Sequence, residues 1–227
     1  MVERTQGLIL RTRLLTETSL IVHWLTPDVG RIATVAKGAR RSKSAFRGKL
    51  DLFYHADLSF SRSRSSELHT LREVVLRQTN PALRKEIAYL EQASYCAALI
   101  EQTTETETPL PVIFQLLTSL LAHLPAQPAQ PLTLFAFEMK LLVELGQKPD
   151  LDNNQLSPGA RQALGKIEEL DWAALSRLKL SAVQSREIQR FLHDFLVYHL
   201  GKVPPARGAA LAGIRSRLII PDRLEEN

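Results

Sequence analysis

The sequence has few of the residues that form covalent or metal-based frameworks. Its 227 residues include a single cysteine, Cys96, which excludes an internal disulfide and a zinc site made of several cysteines. Cys96 lies in an apolar, helix-like stretch, so we expect a buried structural thiol. No apolar run approaches the roughly 20 residues of a membrane span, and the N-terminal residues lack the pattern of a secretory signal. These absences predict a cytoplasmic protein.

Catalytic motifs are also missing. We find no GxxxxGK[ST] phosphate loop, no GxGxxG after a strand, no HExxH and no GxSxG. The histidines are scattered, and we expect each to be a packed or surface residue: His23, His55, His69, His123, His193 and His199. Asp150 and Asp152 suit a cap or turn better than a Mg²⁺ site. The sequence therefore does not support an enzyme, and we expect neither a cofactor nor a metal.

Acidic residues are scarce in the N-terminal third. Residues 1–80 contain 14 Lys and Arg against 7 Asp and Glu, whereas residues 81–227 contain 15 against 17. Residues 37–49 carry no acid and six cations: Lys37, Arg40, Arg41, Lys43, Arg47 and Lys49. Such closely spaced charges repel one another unless a polyanion lies against them. A solvated, mobile loop is the alternative, but its position directly after a strand in a β-rich region favours nucleic-acid binding.

Residues 5–75 alternate in the manner of β-strands. Five strands are predicted, at residues 8–14, 19–26, 31–37, 52–60 and 67–75. In the first strand the predicted inner face is Leu8, Leu10, Thr12 and Leu14. Five short strands suit a small barrel, because closure removes exposed edges. An OB-fold barrel is our first choice, and an SH3-like barrel is the second.

An OB-fold binds nucleic acid on one sheet face and with the loops that flank it. We therefore predict nucleic-acid contacts from the six cations of residues 37–49, with Arg11, Arg13, Arg62 and Arg64 at the border of the same face. Phe46 and Phe53 are candidate platforms for base stacking, although both could equally cover the barrel's flank or the helical domain. Because only 6% of the residues are aromatic, phosphate contacts should dominate and sequence preference should be weak.

Helical periodicity begins near residue 80. Helix starts are indicated at three dipeptides: Asn80-Pro81, Thr108-Pro109 and Ser157-Pro158. The last long helix is predicted at 184–200, with its inner face formed by Ile188, Phe191, Leu192, Phe195, Leu196 and His199. The sequence thus predicts an α+β protein, with an OB-fold domain at residues 1–79 and an α-helical domain at 80–227. Residues 202–227 form a basic tail in this scheme.

Two sets of segments carry a family resemblance. The N-terminal set is Gly7–Arg11, Glu17–Val22, Thr26-Pro27 with Gly30, Val35–Arg41 and Gly48–Leu50. The helical set is Phe137-Glu138, Leu141-Leu142, Leu145-Gly146, Pro149–Asp152 and Tyr198–Gly201. Both sets resemble the bacterial recombination and repair protein RecO family, and the Ala-Lys-Gly-Ala-Arg core after a strand is specific to it.

The resemblance implies an N-terminal OB-fold followed by a helical domain. It also implies a mediator of DNA repair in the RecF pathway that binds single- and double-stranded DNA and anneals complementary strands. Such a mediator works with RecR to load RecA onto strands coated by single-strand-binding protein (SSB). Its helical domain contacts the acidic, apolar-tipped tail of SSB. The implied location is the cytoplasm, at the nucleoid, without a membrane partner.

The sequence departs from the family pattern at two places. Many members have a four-cysteine zinc site just after the Pro-Asp-Leu-Asp motif, where this chain has Asn154 and Ser157, so no zinc is expected. A basic residue often precedes the Phe-Glu pair, where this chain has Ala136, with Lys140 one turn away. The alternatives to a DNA mediator are a protein-interaction adapter with an incidental basic loop and an RNA-binding OB-fold protein.

Overall fold

The computed structural model describes residues 2–152 and 156–215, the last three without their side chains. The chain divides into two compact units. One consists of Met1–Pro81 with Thr103–Thr118, and the other of Ala82–Gln102 with Ser119–Asn227. Strands occupy the first part of the chain and helices the remainder, which confirms the predicted α+β class.

The first unit contains a closed barrel of five strands. They are β1 (Val2–Leu14), β2 (Leu20–Thr26), β3 (Gly30–Ala36), β4 (His55–Ser61) and β5 (Leu68–Gln78). Their order around the barrel is β1-β2-β3-β5-β4, with β4 pairing back onto β1. The β3–β5 pair is parallel and the other four pairs are antiparallel. This OB-like barrel confirms the predicted fold.

Side chains from all five strands fill the barrel. The core cluster includes Ile9, Val22, Trp24, Ile32, Ala36, Ala56, Leu58, Phe60, Leu71 and Val74. Trp24 is the tryptophan of this cluster, and its indole Nε1 donates to Thr34 Oγ1 at 2.9 Å. The buried indole nitrogen is thereby satisfied inside an otherwise apolar core.

The inner face of β1 and the start of β4 differ from the predictions. Ile9 belongs to the barrel's core cluster, whereas Leu8 and Leu10 are buried outside that cluster and Leu14 is 66% exposed. The pairing of β1 with β2 shifts between Ile9 and Arg11, and such a bulge breaks the two-residue alternation. The strand β4 begins at His55 because Phe53 has a φ of 61°, which lies outside the β region.

Residues 103–118 return to the barrel after the first helix, α1 (Ile87–Thr103). Arg31 Nε donates to Thr104 Oγ1 at 2.8 Å, and the amide of Glu107 donates to Arg31 O at 3.0 Å. A Cβ at Gly30 would lie 1.8 Å from Thr108 O, so the close approach requires glycine. The predicted boundary after residue 79 does not include this returning segment, because contacts distant in sequence hold it there.

Six further α-helices follow in the part of the chain that the structure describes. They are α2 (Pro111–His123), α3 (Pro131–Glu144), α4 (Pro158–Glu169), α5 (Trp172–Leu175), α6 (Ala182–Leu200) and α7 (Ala206–Arg215). Ser157 caps α4 as predicted, since its side chain accepts from the amide of Ala160. At the predicted helix start Asn80-Pro81, a short 3₁₀ turn (Pro81–Lys85) replaces the first α-helical turn. No helix within the described ranges is long and apolar enough to cross a bilayer.

The predicted inner face of α6 is partly correct. Ile188, Leu192 and Leu196 are fully buried, whereas His199 is exposed. The buried positions recur every four residues, so the next in the series is Leu200 and not His199. Of the predicted basic tail, the structure describes residues up to 215; the rest lies outside the described residues, as does Asn154.

Candidate nucleic-acid interface

The cationic loop, residues 37–49, is a succession of tight turns. Its backbone hydrogen bonds join Ala39 N to Ala36 O, Arg41 N to Gly38 O, Ser44 N to Arg41 O, Arg47 N to Ser44 O and Lys49 N to Phe46 O. Gly38 and Gly48 have positive φ values of 65° and 72°, which glycine adopts at little cost. Hydrogen bonds within its own backbone therefore fold the loop into consecutive turns.

Apolar side chains hold the cationic loop on the barrel. Ala39 belongs to the barrel core, and Phe46 packs against it. The amide of Gly38 donates to Ser19 Oγ at 3.3 Å, and the amide of Arg40 donates to Thr18 O at 3.0 Å. The small and apolar residues of the loop thus attach it, which leaves the charged residues between them to face outward.

Among the residues that the structure describes, the charges of the loop have no acidic partners. Five of the six cationic residues are exposed and Lys49 is half-buried. Three donate to backbone carbonyls: Arg40 Nη1 to Glu17 O at 2.9 Å, Arg47 Nη1 to Ser42 O at 3.3 Å and Lys49 Nζ to Val74 O at 3.1 Å. Within the described residues, none of the six forms an ion pair with a carboxylate. A carbonyl orients a cation without cancelling its charge, so the loop keeps its positive potential.

Arg13 extends this basic surface, and Arg11 lies further along β1. Leu14 pairs with Leu20, which pairs with Ala36 at the entrance to the loop. The exposed Arg13 precedes Leu14 in the chain, so it lies beside this row of paired residues and near the loop.

Arg11 is half-buried and pairs with His23 across the β1–β2 ladder. Burial, together with the charges of Arg11 and Arg31, lowers the pKa of His23 to about 4. His23 is therefore neutral at pH 7 and adds no charge to this part of the barrel.

The structure does not bring Arg62 together with the loop. Its Nε donates to Glu3 Oε1 at 2.7 Å and its Nη1 to Glu107 Oε2 at 2.5 Å. These bonds, first of all the one to Glu3, raise the pKa of Arg62. Two carboxylates already bind Arg62, so its predicted role in a shared DNA surface stays a prediction.

The two basic regions also lie at different points along β5. The segment that holds Arg62 and the exposed Arg64 meets the start of β5, where the amide of Ser63 donates to His69 Nδ1 at 3.3 Å. Lys49 of the loop contacts Val74, five residues further on. At 3.3 Å per residue this separation is about 16 Å along the strand.

The two candidate stacking residues have different surroundings. Phe53 is fully buried, and its carbonyl accepts a hydrogen bond of 2.7 Å from Asn80 Nδ2. It cannot meet a base without local unfolding, which corrects the prediction for Phe53. Phe46 is half-buried in the cationic loop and keeps part of its ring accessible.

A cleft of about 460 Å³ opens within the cationic loop. Its lining residues are Leu20, Ala39, Arg40, Arg41, Ser42, Phe46, Arg47, Gly48 and Leu50. Four of these are apolar and three are arginines, so apolar and cationic side chains line the cleft together. The sequence showed the charges, but Leu20 comes from β2 and could not be associated with them before the fold was known.

The residues around Pro149–Asp152 do not fit a four-cysteine zinc site. Cys96 is fully buried on α1, and this burial raises its pKa. Ser157 caps α4 and its Oγ donates to Glu187 Oε2 at 2.7 Å. Asp150 accepts from the amide of Asp152 at 2.9 Å, as in a turn. Among the described residues, no group of three or more His, Cys, Asp or Glu side chains is placed to hold a metal ion.

The helical unit contains a buried ion pair that sequence reasoning did not find. Glu138 on α3 is fully buried and accepts from Arg207 Nε at 2.7 Å and Nη2 at 2.9 Å. Tyr95 Oη also donates to Glu138, at 2.5 Å. Burial first of all, and then the charge of Glu138, raises the pKa of Tyr95. The sequence signal was an acid in the middle of an apolar helix, but its partner is 69 residues away.

Ala136 and Lys140, at and near the position where the family often has a basic residue, both contact other parts of the helical unit. Ala136 is fully buried on α3. Lys140 Nζ donates to Glu168 O at 2.9 Å, and burial lowers the pKa of Lys140. A cation at position 136 would therefore lie inside the helical unit of this chain.

Comparisons with known proteins agree with this architecture. Residues 1–80 match the family model described as "Recombination protein O N terminal", and residues 84–155 match "Recombination protein O C terminal". A DNA repair protein RecO from Bacillus pumilus is 32% identical over 152 residues, which cover 67% of this chain and 59% of the relative. One from Alkaliphilus metalliredigens is 33% identical over 152 residues, covering 66% of this chain and 61% of the relative.

A third relative matches over nearly its whole length. The DNA repair protein RecO of Anaeromyxobacter dehalogenans is 28% identical over 235 residues, covering 88% of this chain and 92% of the relative. In the other two the match spans less than two thirds of the relative. With both family models matched in order, and with an OB-like barrel followed by helices, the chain belongs to the recombination protein O (RecO) family.

Proposed function

We propose that this protein is a non-enzymatic, DNA-binding mediator of recombinational DNA repair. It binds single- and double-stranded DNA through the cationic loop and anneals complementary strands. In the RecF pathway it helps RecR to load RecA onto single strands coated by SSB. The matches to the RecO family support a role in DNA repair and recombination, and the loop supports the DNA site.

One observation carries the DNA site: six cations on a folded loop have no carboxylate partner within the described residues. Cations at this density repel one another, and phosphates that replace counterions relieve the repulsion. Arg13 widens the footprint at the β1–β2 end of the barrel. Arg62 is left out of it because Glu3 and Glu107 already satisfy that side chain.

The annealing mechanism follows from electrostatics. Two DNA strands repel each other through their phosphates, and a basic surface that touches both backbones screens this repulsion. Phosphate contacts leave most base edges free to pair. The process needs no nucleotide hydrolysis, in keeping with a sequence that has no phosphate-binding loop motif. Annealing that required added ATP would contradict this mechanism.

The partner contacts belong to the helical unit in this proposal. The acidic tail of SSB requires a cation, and the candidate one turn from the Phe137-Glu138 pair is the half-buried Lys140, whose Nζ would have to leave Glu168 O to reach the tail. We expect the protein in the cytoplasm, at the nucleoid, acting without a cofactor or a metal. A labelled SSB tail peptide should bind the wild type and lose affinity for Lys140→Ala.

The DNA site is tested by fluorescence anisotropy of a labelled single strand across a salt series. The loop variant Lys37→Ala/Arg40→Ala/Arg41→Ala removes three phosphate contacts, so the log–log salt slope should flatten by about 2. The matched control removes three exposed cations from the helical unit: Lys166→Ala/Arg177→Ala/Lys179→Ala. Equal slopes for the two triple variants would place the DNA site outside the loop.

A further inference from the structure

The cleft in the cationic loop has a chemistry that phosphate binding alone does not explain. Phosphate groups need cations and donors, yet four of the nine lining residues are apolar. Phe46 and Leu50 pack on the barrel core with part of their surface left uncovered. Apolar surface beside these arginines has no favourable partner in a phosphate or in water.

We infer that this cleft is a subsite for one unstacked nucleobase of a single strand. A nucleobase has flat apolar faces and is attached to a phosphate at a fixed short distance. It therefore matches a cleft that apolar side chains and arginines line together. This inference rests on the proposed function and adds a base contact to its phosphate contacts.

Two of the arginines that line the cleft are positioned before a ligand binds. Arg40 Nη1 is held by Glu17 O, and Arg47 Nη1 by Ser42 O. Both guanidinium groups keep further N–H donors for phosphate oxygens. Arginine planes also stack on bases, so the same side chains can border both the base and its backbone.

The opening of the cleft suits the approach of a nucleic-acid backbone. Gly48 lines it, and a Cβ at this position would meet nothing within 4 Å. The space above the glycine is therefore open. The volume of about 460 Å³ falls within the range of small-ligand sites.

A base in the cleft makes the site selective for single strands. A base paired within a duplex must leave its stack and its partner before it can enter, and that step costs free energy. Phosphate contacts alone give no such selectivity. One captured base leaves its neighbours free to pair, so the subsite is compatible with annealing.

The experiment compares two labelled probes of equal length and charge: an oligothymidylate and an abasic phosphodiester oligomer. The full chain is titrated with each probe at the same salt concentration. Stacking of one base on an aromatic side chain predicts about tenfold tighter binding of the oligothymidylate. Both probes should show the same salt slope, because their phosphates are identical.

Two leucine substitutions test the position of the base. Ser42→Leu adds a side chain at a residue that lines the cleft, whereas Ala45→Leu adds the same side chain at an exposed loop residue outside the lining. The preference for oligothymidylate should disappear in Ser42→Leu and persist in Ala45→Leu. Neither variant should change the affinity for the abasic probe.

A second cleft variant guards against a folding defect in the first. Phe46→Leu keeps an apolar contact on the barrel but removes the aromatic face, so the preference should fall to about a third of its wild-type value. Equal wild-type affinities for the two probes would overturn the base subsite and leave phosphate binding intact. Absence of salt-dependent binding to both probes would overturn the proposed DNA site itself.

Discussion

Two groups of cations in this protein behave in opposite ways. In the cationic loop, exposed arginines donate to backbone carbonyls and keep their charge. In the helical unit, Arg207 is 5% exposed and makes a two-pronged ion pair with the fully buried Glu138. Burial opposes the charge of Arg207, but the bonds to Glu138 outweigh it and raise the pKa of that guanidinium.

The difference shows that the partner, and not the residue type, determines what an arginine does. A buried guanidinium with a carboxylate contributes to structure, and the loss of either member leaves an uncompensated charge. An exposed guanidinium held by a carbonyl adds little to stability and retains its potential for an external anion. Arg62 stands between these cases, partly exposed but paired with two carboxylates.

The largest effect should come from breaking the buried pair. Glu138→Leu leaves Arg207 buried without its carboxylate, which should cost about 3–5 kcal/mol of unfolding free energy. Thermal unfolding followed by circular dichroism should show a Tm lower by about 10 °C. The double variant Glu138→Leu/Arg207→Leu should recover most of this loss. A double variant as unstable as the single one would mean that packing, not charge, is responsible.

A smaller stability effect is expected for the intermediate case. Arg62→Ala leaves Glu3 and Glu107 without their shared cation and should cost about 1 kcal/mol. The salt slope of DNA binding should stay at its wild-type value, because the Arg62 charge is already neutralised. Measuring the unfolding free energy and the salt slope on one preparation separates a structural role of Arg62 from a role in DNA binding. A slope reduced by about 0.7, as for one lost phosphate contact, would return Arg62 to the DNA surface.

An acidic residue introduced into the cationic loop should pair with the loop's cations. Ala45 is exposed within the loop, so Ala45→Glu places a carboxylate among unpaired cations. Binding of a single strand should weaken about threefold while Tm rises slightly, because repulsion within the loop decreases. Ala45→Gln is the control of similar size without the charge. The expected result is weaker DNA binding together with a higher Tm. A variant with weaker binding and a lower Tm would contradict it.

The smallest effect concerns His23, which is neutral beside Arg11. Its pKa of about 4 in the folded protein lies below the ordinary value of 6.5. Between these values the unfolded chain binds more protons, so His23 lowers stability as the pH falls from 6.5 to 4. His23→Gln should reduce the fall in Tm over this range by about 2 °C, given the partial exposure of the ring. An unchanged pH profile would contradict the assigned pKa.

The parts of the fold that sequence predicted correctly depend on local chemistry. Ser157 acts at a helix start through its own side chain. The loop's cations are contiguous, so their density is visible in the sequence. The structure departs from these expectations where distant contacts decide: at the bulge beside Ile9, at the positive φ of Phe53 and at the two carboxylates around Arg62.

The sequence by itself determined the order of strands and helices, the location of the dense positive charge and the family resemblance. These properties reside in residue types and short spacings. Only the tertiary structure decided which cations keep their charge, because neutralisation depends on a carboxylate that may come from any part of the chain. It also decided that Phe53 is core and that Leu20 joins the loop's cleft, since burial results from the packing of segments far apart in sequence.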